Sequence, residues 1–374
     1  MDVRLDAEQK ALRDAAAQVV RDLGPKAVGD LDDDGRAAKL DAAVAAAGWR
    51  ELRLPAEDPA GPGAAPLASA VEVGIVAEAL GWGVADAAFV GPTLAAELRR
   101  LAGAPPADVH ETVALAPDLS ALAVLAVGGV AASELAPDLG VRAPRSGAST
   151  ANGGGLVAID AAGATQALVL SPVASGQALA TVELPDPSAT SSAAVDLTRP
   201  SVALAPGATV APVAGAAPLD DDALARWTAL ALAVTAADLV GTMAGATELA
   251  RAYAAERQQY GVAVGSFQAV QHLLADAFTV AEGARSAALH AAWAVDTLPP
   301  DEAVVAGAVA KAYASAAART ACETAIQVHG GIGNTWECLA HVHLRRALVS
   351  TEIAGGEGPN LDRVLTHLGL GADA

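Results

Sequence analysis

Apolar residues recur three and four positions apart through most of this chain, and that spacing predicts helices. Leu12, Ala15, Ala16, Val19, Val20 and Leu23 line one helical face within residues 6–47, and Gly24-Pro25 stops that helix. A second helix is predicted over 37–47, ending at Gly48-Trp49, and a Gly/Pro-rich loop over 55–66. Helical spacing returns over 67–80, breaks at Gly81-Trp82-Gly83, and resumes from Pro92 through Leu101. From Val109 the pattern changes to short apolar runs at 113–115, 121–127, 156–159, 167–170, 180–184 and 201–204, separated by Gly, Pro, Ser and Asp. Such runs read as strands joined by turns. From Leu219 to Leu370 the period is helical again, in long segments over 223–256, 266–297, 300–329 and 336–349 with short breaks. The expected fold is therefore mainly α with a small β domain. It comprises an N-terminal helical domain (1–108), a middle β-sandwich or barrel-like domain (109–217) and a C-terminal four-helix bundle (218–374).

Composition sharpens this picture. Aromatic residues make up only 3% of the chain against 53% hydrophobic, because alanine fills the apolar positions, and alanine favours helix. A net charge of −20 argues against nucleic acid or anionic lipid as a partner, since phosphate binding needs clustered Lys and Arg. The most apolar stretch, 223–246, is interrupted by Arg226 and Asp238, which favours a buried helix over a membrane span. No apolar run follows a basic start in Met1-Asp2-Val3-Arg4-Leu5-Asp6, so no secretory signal is read and a cytoplasmic location is expected. Cys322 and Cys338 form no CxxC pair, which fits a reducing compartment. His341 and His343, two positions apart on a predicted helix, do not face one site, so no metal centre is expected. Gly153-Gly154-Gly155 is followed by neither Lys-Ser/Thr nor a helix and reads as a turn. Asp220-Asp221-Asp222 sits where a helix N-terminus favours negative charge.

Three motifs occur in order in the C-terminal half: Arg257-x-x-Tyr260-Gly261, Phe267-Gln268-x-x-Gln271 and Gln327-Val328-His329-Gly330-Gly331-x-Gly333. With the helical, β and helical succession, this set resembles the acyl-CoA dehydrogenase family over essentially the whole chain. Asp196-Leu197-Thr198-Arg199 and Gly333-Asn334-Thr335-Trp336-Glu337 are similar to the actinobacterial-type branch, whose members often act on sterol side chains or other bulky acyl-CoA thioesters and can pair as two unlike subunits. The resemblance implies FAD bound across a subunit interface by Arg257, Gln268, Gln327, Gly330 and Gly331. It also implies an acyl-CoA substrate, an electron-transfer flavoprotein or similar acceptor, and a dimer or tetramer of like or unlike chains. A guanidinium matches pyrophosphate oxygens bidentately, and glycine lets backbone N–H groups reach a cofactor. Taken alone, Arg257 reads more readily as a surface ion pair with Glu256 or Asp276. Tyr260 stands where the family usually has Phe, which keeps the ring.

The implied reaction is α,β-dehydrogenation, in which a carboxylate removes the proton alpha to the thioester. The family's commonest site for that base, a Tyr-Glu-Gly-Thr segment, falls on Ala354-Gly355 here. Other members place the base on the first bundle helix, which offers Asp238, Glu248 and Glu256. Glu248 is the preferred candidate, because Arg257 beside Glu256 would weaken that acid as a base; Glu357, by a local shift, or a partner chain are the other sources. The family's flavin-contacting strand has only Ala114-Leu115-Ala116-Pro117-Asp118 as counterpart. Arg345 and Arg346 read as helix-surface charges. Three readings stay open: a flavin-dependent acyl-CoA dehydrogenase, a non-catalytic subunit that completes a partner's FAD site, and an alanine-rich helical protein without flavin.

Overall fold

The computed structural model describes residues 4–56, 61–125, 155–185, 194–204 and 208–371. The expected Gly153–Gly155 turn and the end of the 121–127 run lie outside these residues, apart from Gly155 itself. Four helices come first: α1 (Ala7–Leu23), α2 (Asp34–Ala46), α3 (Ala70–Trp82) and α4 (Val90–Ala102). At α1, Asp6 and Gln9 form a capping box, each side chain accepting from the other's backbone N–H. Pro92 lies inside the first turn of α4, where a missing N–H costs nothing.

Six short strands follow: β1 (Glu111–Leu115), β2 (Val157–Ala158), β3 (Gln166–Val173), β4 (Gly176–Glu183), β5 (Val202–Ala203) and β6 (Val210–Pro212). They form one mixed sheet in the order β5-β2-β1-β3-β4-β6. β1 and β3 run parallel, with Glu111 opposite Gln166, and the other neighbours run antiparallel. Among the described residues this is a single sheet, where the sequence suggested a sandwich or barrel. Alternation along the strands explains it. Leu168, Leu170 and Leu179 join the main helical core, while Ala167, Val169, Ala180 and Val182 build a separate small cluster on the opposite face.

The remainder is helical: α5 (Asp221–Glu256), the hairpin β7 (Gln258–Gln259) and β8 (Val262–Ala263), α6 (Gln268–Thr297), α7 (Pro300–His329), α8 (Ala340–Glu352) and α9 (Glu357–His367). Asp220 caps α5, its carboxylate accepting from the Ala223 N–H at 2.9 Å. By length and composition α5 is apolar enough to cross a membrane, but its most apolar window is 94% buried inside the protein. Small residues make that burial possible. A methyl group added at Gly241 would sit 2.0 Å from the Glu78 carbonyl oxygen, and one at Gly81 2.4 Å from that of Asp238, so α3 and α5 touch backbone to backbone.

Asp238, weighed above as a candidate base, has a structural role. Its carboxylate is buried and accepts from Arg346 Nε at 3.0 Å and Nη2 at 2.6 Å, from Arg199 Nη1 at 3.1 Å and from the Ser350 hydroxyl at 2.6 Å. Arg346, expected at the surface, is 2% exposed; it also donates to the Ala85 carbonyl at 2.8 Å and to Thr198 Oγ1 at 3.0 Å. Arg199 reaches Asp196 at 2.9 Å. Burial pushes the Asp238 carboxyl up, but the two guanidiniums overcome it and hold the group down at about 2 against 3.8 ordinarily. Its stabilisation is thus fully present above pH 3.8 and lost as the pH falls through 2. Asp238→Asn leaves two buried arginines short of a counter-charge and is expected to cost about 3–5 kcal/mol in urea unfolding at neutral pH. A loss below about 1 kcal/mol contradicts this role.

Candidate functional site

Two regions stand out, one on the outer end of the bundle and one inside. At the outer end α5 stops at Arg257, whose backbone turns extended (φ −67°, ψ 126°) while its N–H bonds the Tyr253 carbonyl at 2.8 Å. Tyr260 and Gly261 then take positive φ values of 53° and 80°, the combination a tight two-residue hairpin requires, and the Val264 N–H closes onto the Arg257 carbonyl at 2.8 Å. Tyr260 is 94% exposed and meets Phe267 edge to face at 6.4 Å.

The end of α7 arrives at the same place. His329 stacks on Tyr253 with ring centroids 4.5 Å apart, and its Nδ1 lies 2.7 Å from the Ala325 carbonyl. Gly330 leaves the helix at φ 65°, ψ −143°, a region open essentially to glycine alone. Added methyl groups at Gly330 and Gly331 would meet nothing within 4 Å. Arg257, Gln268, Gln327, Gly330 and Gly331 are all exposed on this end. The surface pair of Arg257 with Glu256 or Asp276 does not form, and Arg257 has no carboxylate partner among the described residues. An unpaired guanidinium beside open backbone fits a phosphate-bearing cofactor such as FAD docking from outside the chain.

Glu248 stands elsewhere. It is half-exposed and holds Arg251 through two bonds, of 2.6 and 2.7 Å. The Arg251 hydrogen bond lowers its carboxyl pKa, opposite to the desolvation that raises a carboxylate toward general-base strength. Of the two neighbouring histidines, His343 is buried against the Thr242 carbonyl at 3.0 Å, and burial pushes it down to about 3. His341 turns instead to Trp336, at 5.3 Å between ring centroids. The Arg345 guanidinium lies over the same Trp336 ring, 5.8 Å from its centroid.

The inner region is a cavity of about 250 Å³ where α4, α5, the sheet and the α8–α9 turn meet. Leu94, Leu115, Leu122, Leu170, Trp227 and Ala231 give it an apolar lining, and Ala354 forms part of its wall. Among the described residues that line it, none is Asp or Glu. Ala354 and Leu119 both carry left-handed backbones (φ 62° and 59°) and are joined by the Ala354 N–H to the Leu119 carbonyl at 2.9 Å. Paired strain of this kind marks a turn that its surroundings over-determine.

Those surroundings are polar. Lys311 of α7 donates to the carbonyls of Thr351 at 2.5 Å and Gly355 at 3.1 Å; Asn360 donates to Gly355 and Gly356; Arg363 donates to the Ala354 carbonyl at 2.9 Å. The sequence reading missed Lys311, although a lone Lys on the Ala303, Gly307 and Ser315 stripe of α7 was its visible signal. Ala231, which lines the cavity, and Glu248 are 17 residues apart on α5, roughly 25 Å at the helical rise. Glu248 therefore does not face this space.

Residues 229–368 match the family model of the acyl-CoA dehydrogenase C-terminal domain. The acyl-CoA dehydrogenase FadE34 of Mycobacterium tuberculosis is 43% identical over 143 residues, which are 38% of this chain and 20% of FadE34. The match thus spans about a fifth of that relative's length. Among solved structures, a variant of the Tcur3481-Tcur3483 steroid ACAD has a TM-score of 0.72 at 23% identity, over 98% of this chain and 99% of that one. The ChsE4-ChsE5 complex from Mycobacterium tuberculosis gives 0.68 at 21% identity, over 99% of each chain. These two likenesses show the fold.

Burial pushes the Lys311 ammonium from 10.5 down to about 7. Its penalty on the folded state is full below pH 7 and is relieved as the pH rises toward 10.5. Wild-type stability should therefore gain on the order of 2 kcal/mol between pH 7 and pH 9 relative to Lys311→Met. Parallel unfolding curves with no such difference contradict the buried ammonium.

Proposed function

We propose that the chain is a subunit of an FAD-dependent acyl-CoA dehydrogenase assembly in which Arg257, Gln268, Gln327, Gly330 and Gly331 hold the cofactor of a neighbouring subunit. The length of α5 carries this reading. Arg257 lies 26 residues beyond Ala231 in the cavity wall, about 39 Å along the axis. An outward-facing cofactor surface at that distance serves a second chain's site better than its own. The likeness in fold to the ChsE4-ChsE5 complex supports pairing with an unlike subunit.

Within this reading FAD, when bound, supplies the hydride acceptor for α,β-dehydrogenation of an acyl-CoA thioester. The residues of this chain bind and orient. The Arg257 guanidinium would hold the pyrophosphate, the Gln268 and Gln327 amides would add hydrogen bonds, and Gly330 and Gly331 would let the backbone approach without a Cβ in the way. With no Asp or Glu among the described residues that line the cavity, the reading assigns the carboxylate base to the partner. Electrons pass on to an electron-transfer flavoprotein or a similar acceptor, and the assembly works in the cytoplasm. A dehydrogenase with its own base at Glu248 would require that carboxylate to leave Arg251 and act roughly 25 Å from where it sits.

Arg257→Ala removes a charge-assisted bond pair on the order of 2–4 kcal/mol. The assembled enzyme should then lose its flavin absorbance during gel filtration, and full retention of yellow flavin contradicts the assignment. Glu248→Gln should leave turnover of the active assembly within about twofold; a fall of about two to four powers of ten with FAD retained would restore Glu248 as the base.

A further inference from the structure

The cavity beside Ala354 has polar groups left over. Five lining side chains carry hydrogen-bonding atoms: Ser120, Gln177, Trp227, Thr228 and Arg363. Three are committed elsewhere. Ser120 donates to Asp118 at 2.7 Å, Trp227 Nε1 to the Leu94 carbonyl at 3.0 Å, and Thr228 to the Leu224 carbonyl at 2.8 Å.

Arg363 and Gln177 remain. Arg363 uses Nη1 on the Ala354 carbonyl and on Asn360 Oδ1, at 2.9 and 2.5 Å. It has no carboxylate partner among the described residues, and its other nitrogens make no bond. Burial without a counter-charge lowers its pKa. The buried Oε1 of Gln177 has no hydrogen-bond partner, and a half-turn of that amide exchanges its acceptor for a donor. Native structures rarely leave such groups unanswered. The remaining wall is leucine, isoleucine, valine, alanine and the Trp227 ring.

We propose that this cavity takes an apolar chain bearing a carboxylate, with Arg363 as the carboxylate's partner and the Gln177 amide as a second contact. This rests on the acyl-site reading only for the thioester form of the ligand, and it narrows the substrate class to acyl groups that carry a free acid. A guanidinium that offers two donors in a fixed plane selects a planar carboxylate over a neutral amide or alcohol of the same length. At about 250 Å³ the space lies below the usual range for drug-sized ligands, which points to a short chain.

The test is calorimetric titration of the purified chain with hexanoate and with hexanamide, without flavin or coenzyme A. Hexanoate should bind about tenfold or more tightly than hexanamide. Arg363→Met should abolish that preference while hexanamide affinity stays as in the wild type, which also reports that the cavity is intact. Arg363→Lys should retain part of it. Equal binding of acid and amide by the wild type, binding of neither, or an acid preference that survives Arg363→Met each overturns the proposal. Since no flavin takes part, failure here leaves the FAD reading standing, and loss of FAD binding leaves this one standing.

Discussion

A single buried carboxylate holds three parts of this protein together. Asp238 sits in the middle of α5, Arg199 at the edge of the β region and Arg346 on α8, and the bonds among them run at 2.6–3.1 Å. Removing a charge from water is costly, and one guanidinium would recover little of that cost. Two guanidiniums and the Ser350 hydroxyl surround this one. The same arginines reach further. Arg346 anchors the Ala85 carbonyl, Arg199 holds Asp196, and nearby Asp160 accepts from the Phe89 and Gly91 N–H groups at the start of α4.

The cavity depends on this node. Ser350 is bonded to both Asp238 and Arg199 at 2.6 and 2.5 Å, and three residues later Ile353 and Ala354 form the cavity wall. From the other side Lys311, Asn360 and Arg363 hold the carbonyls of the same turn. Ala354 keeps a left-handed backbone because both supports fix it. The first acts through the Ser350 side chain and the second on backbone carbonyls, so the wall is rigid, and no Asp or Glu is among its described lining residues.

Much of the chain was legible from spacing. The four long C-terminal segments and the Asp220 cap follow from periodicity and capping chemistry, which act within a few residues. The missed features depend on distance in sequence. Arg346 looked like a surface charge because its partner lies 108 residues away, and Asp238 looked like a base because an isolated acid in an apolar helix invites that reading. The cavity draws its lining from residues spread between Leu94 and Arg363, and no local pattern marks them as neighbours. The short apolar run at 167–170 between breakers pointed to strands but said nothing of how many sheets they build.

On the proposed reading, the bundle end and the cavity, about 39 Å apart on one helix, give this chain a share of a site rather than a complete one. The most direct measurement is the flavin content and acyl-CoA turnover of the purified chain alone and after co-expression with its genomic neighbour, read by visible absorbance and acceptor reduction. The account predicts a colourless, inactive chain alone and a yellow, active complex with the neighbour. Stoichiometric FAD together with turnover in the chain alone would contradict it.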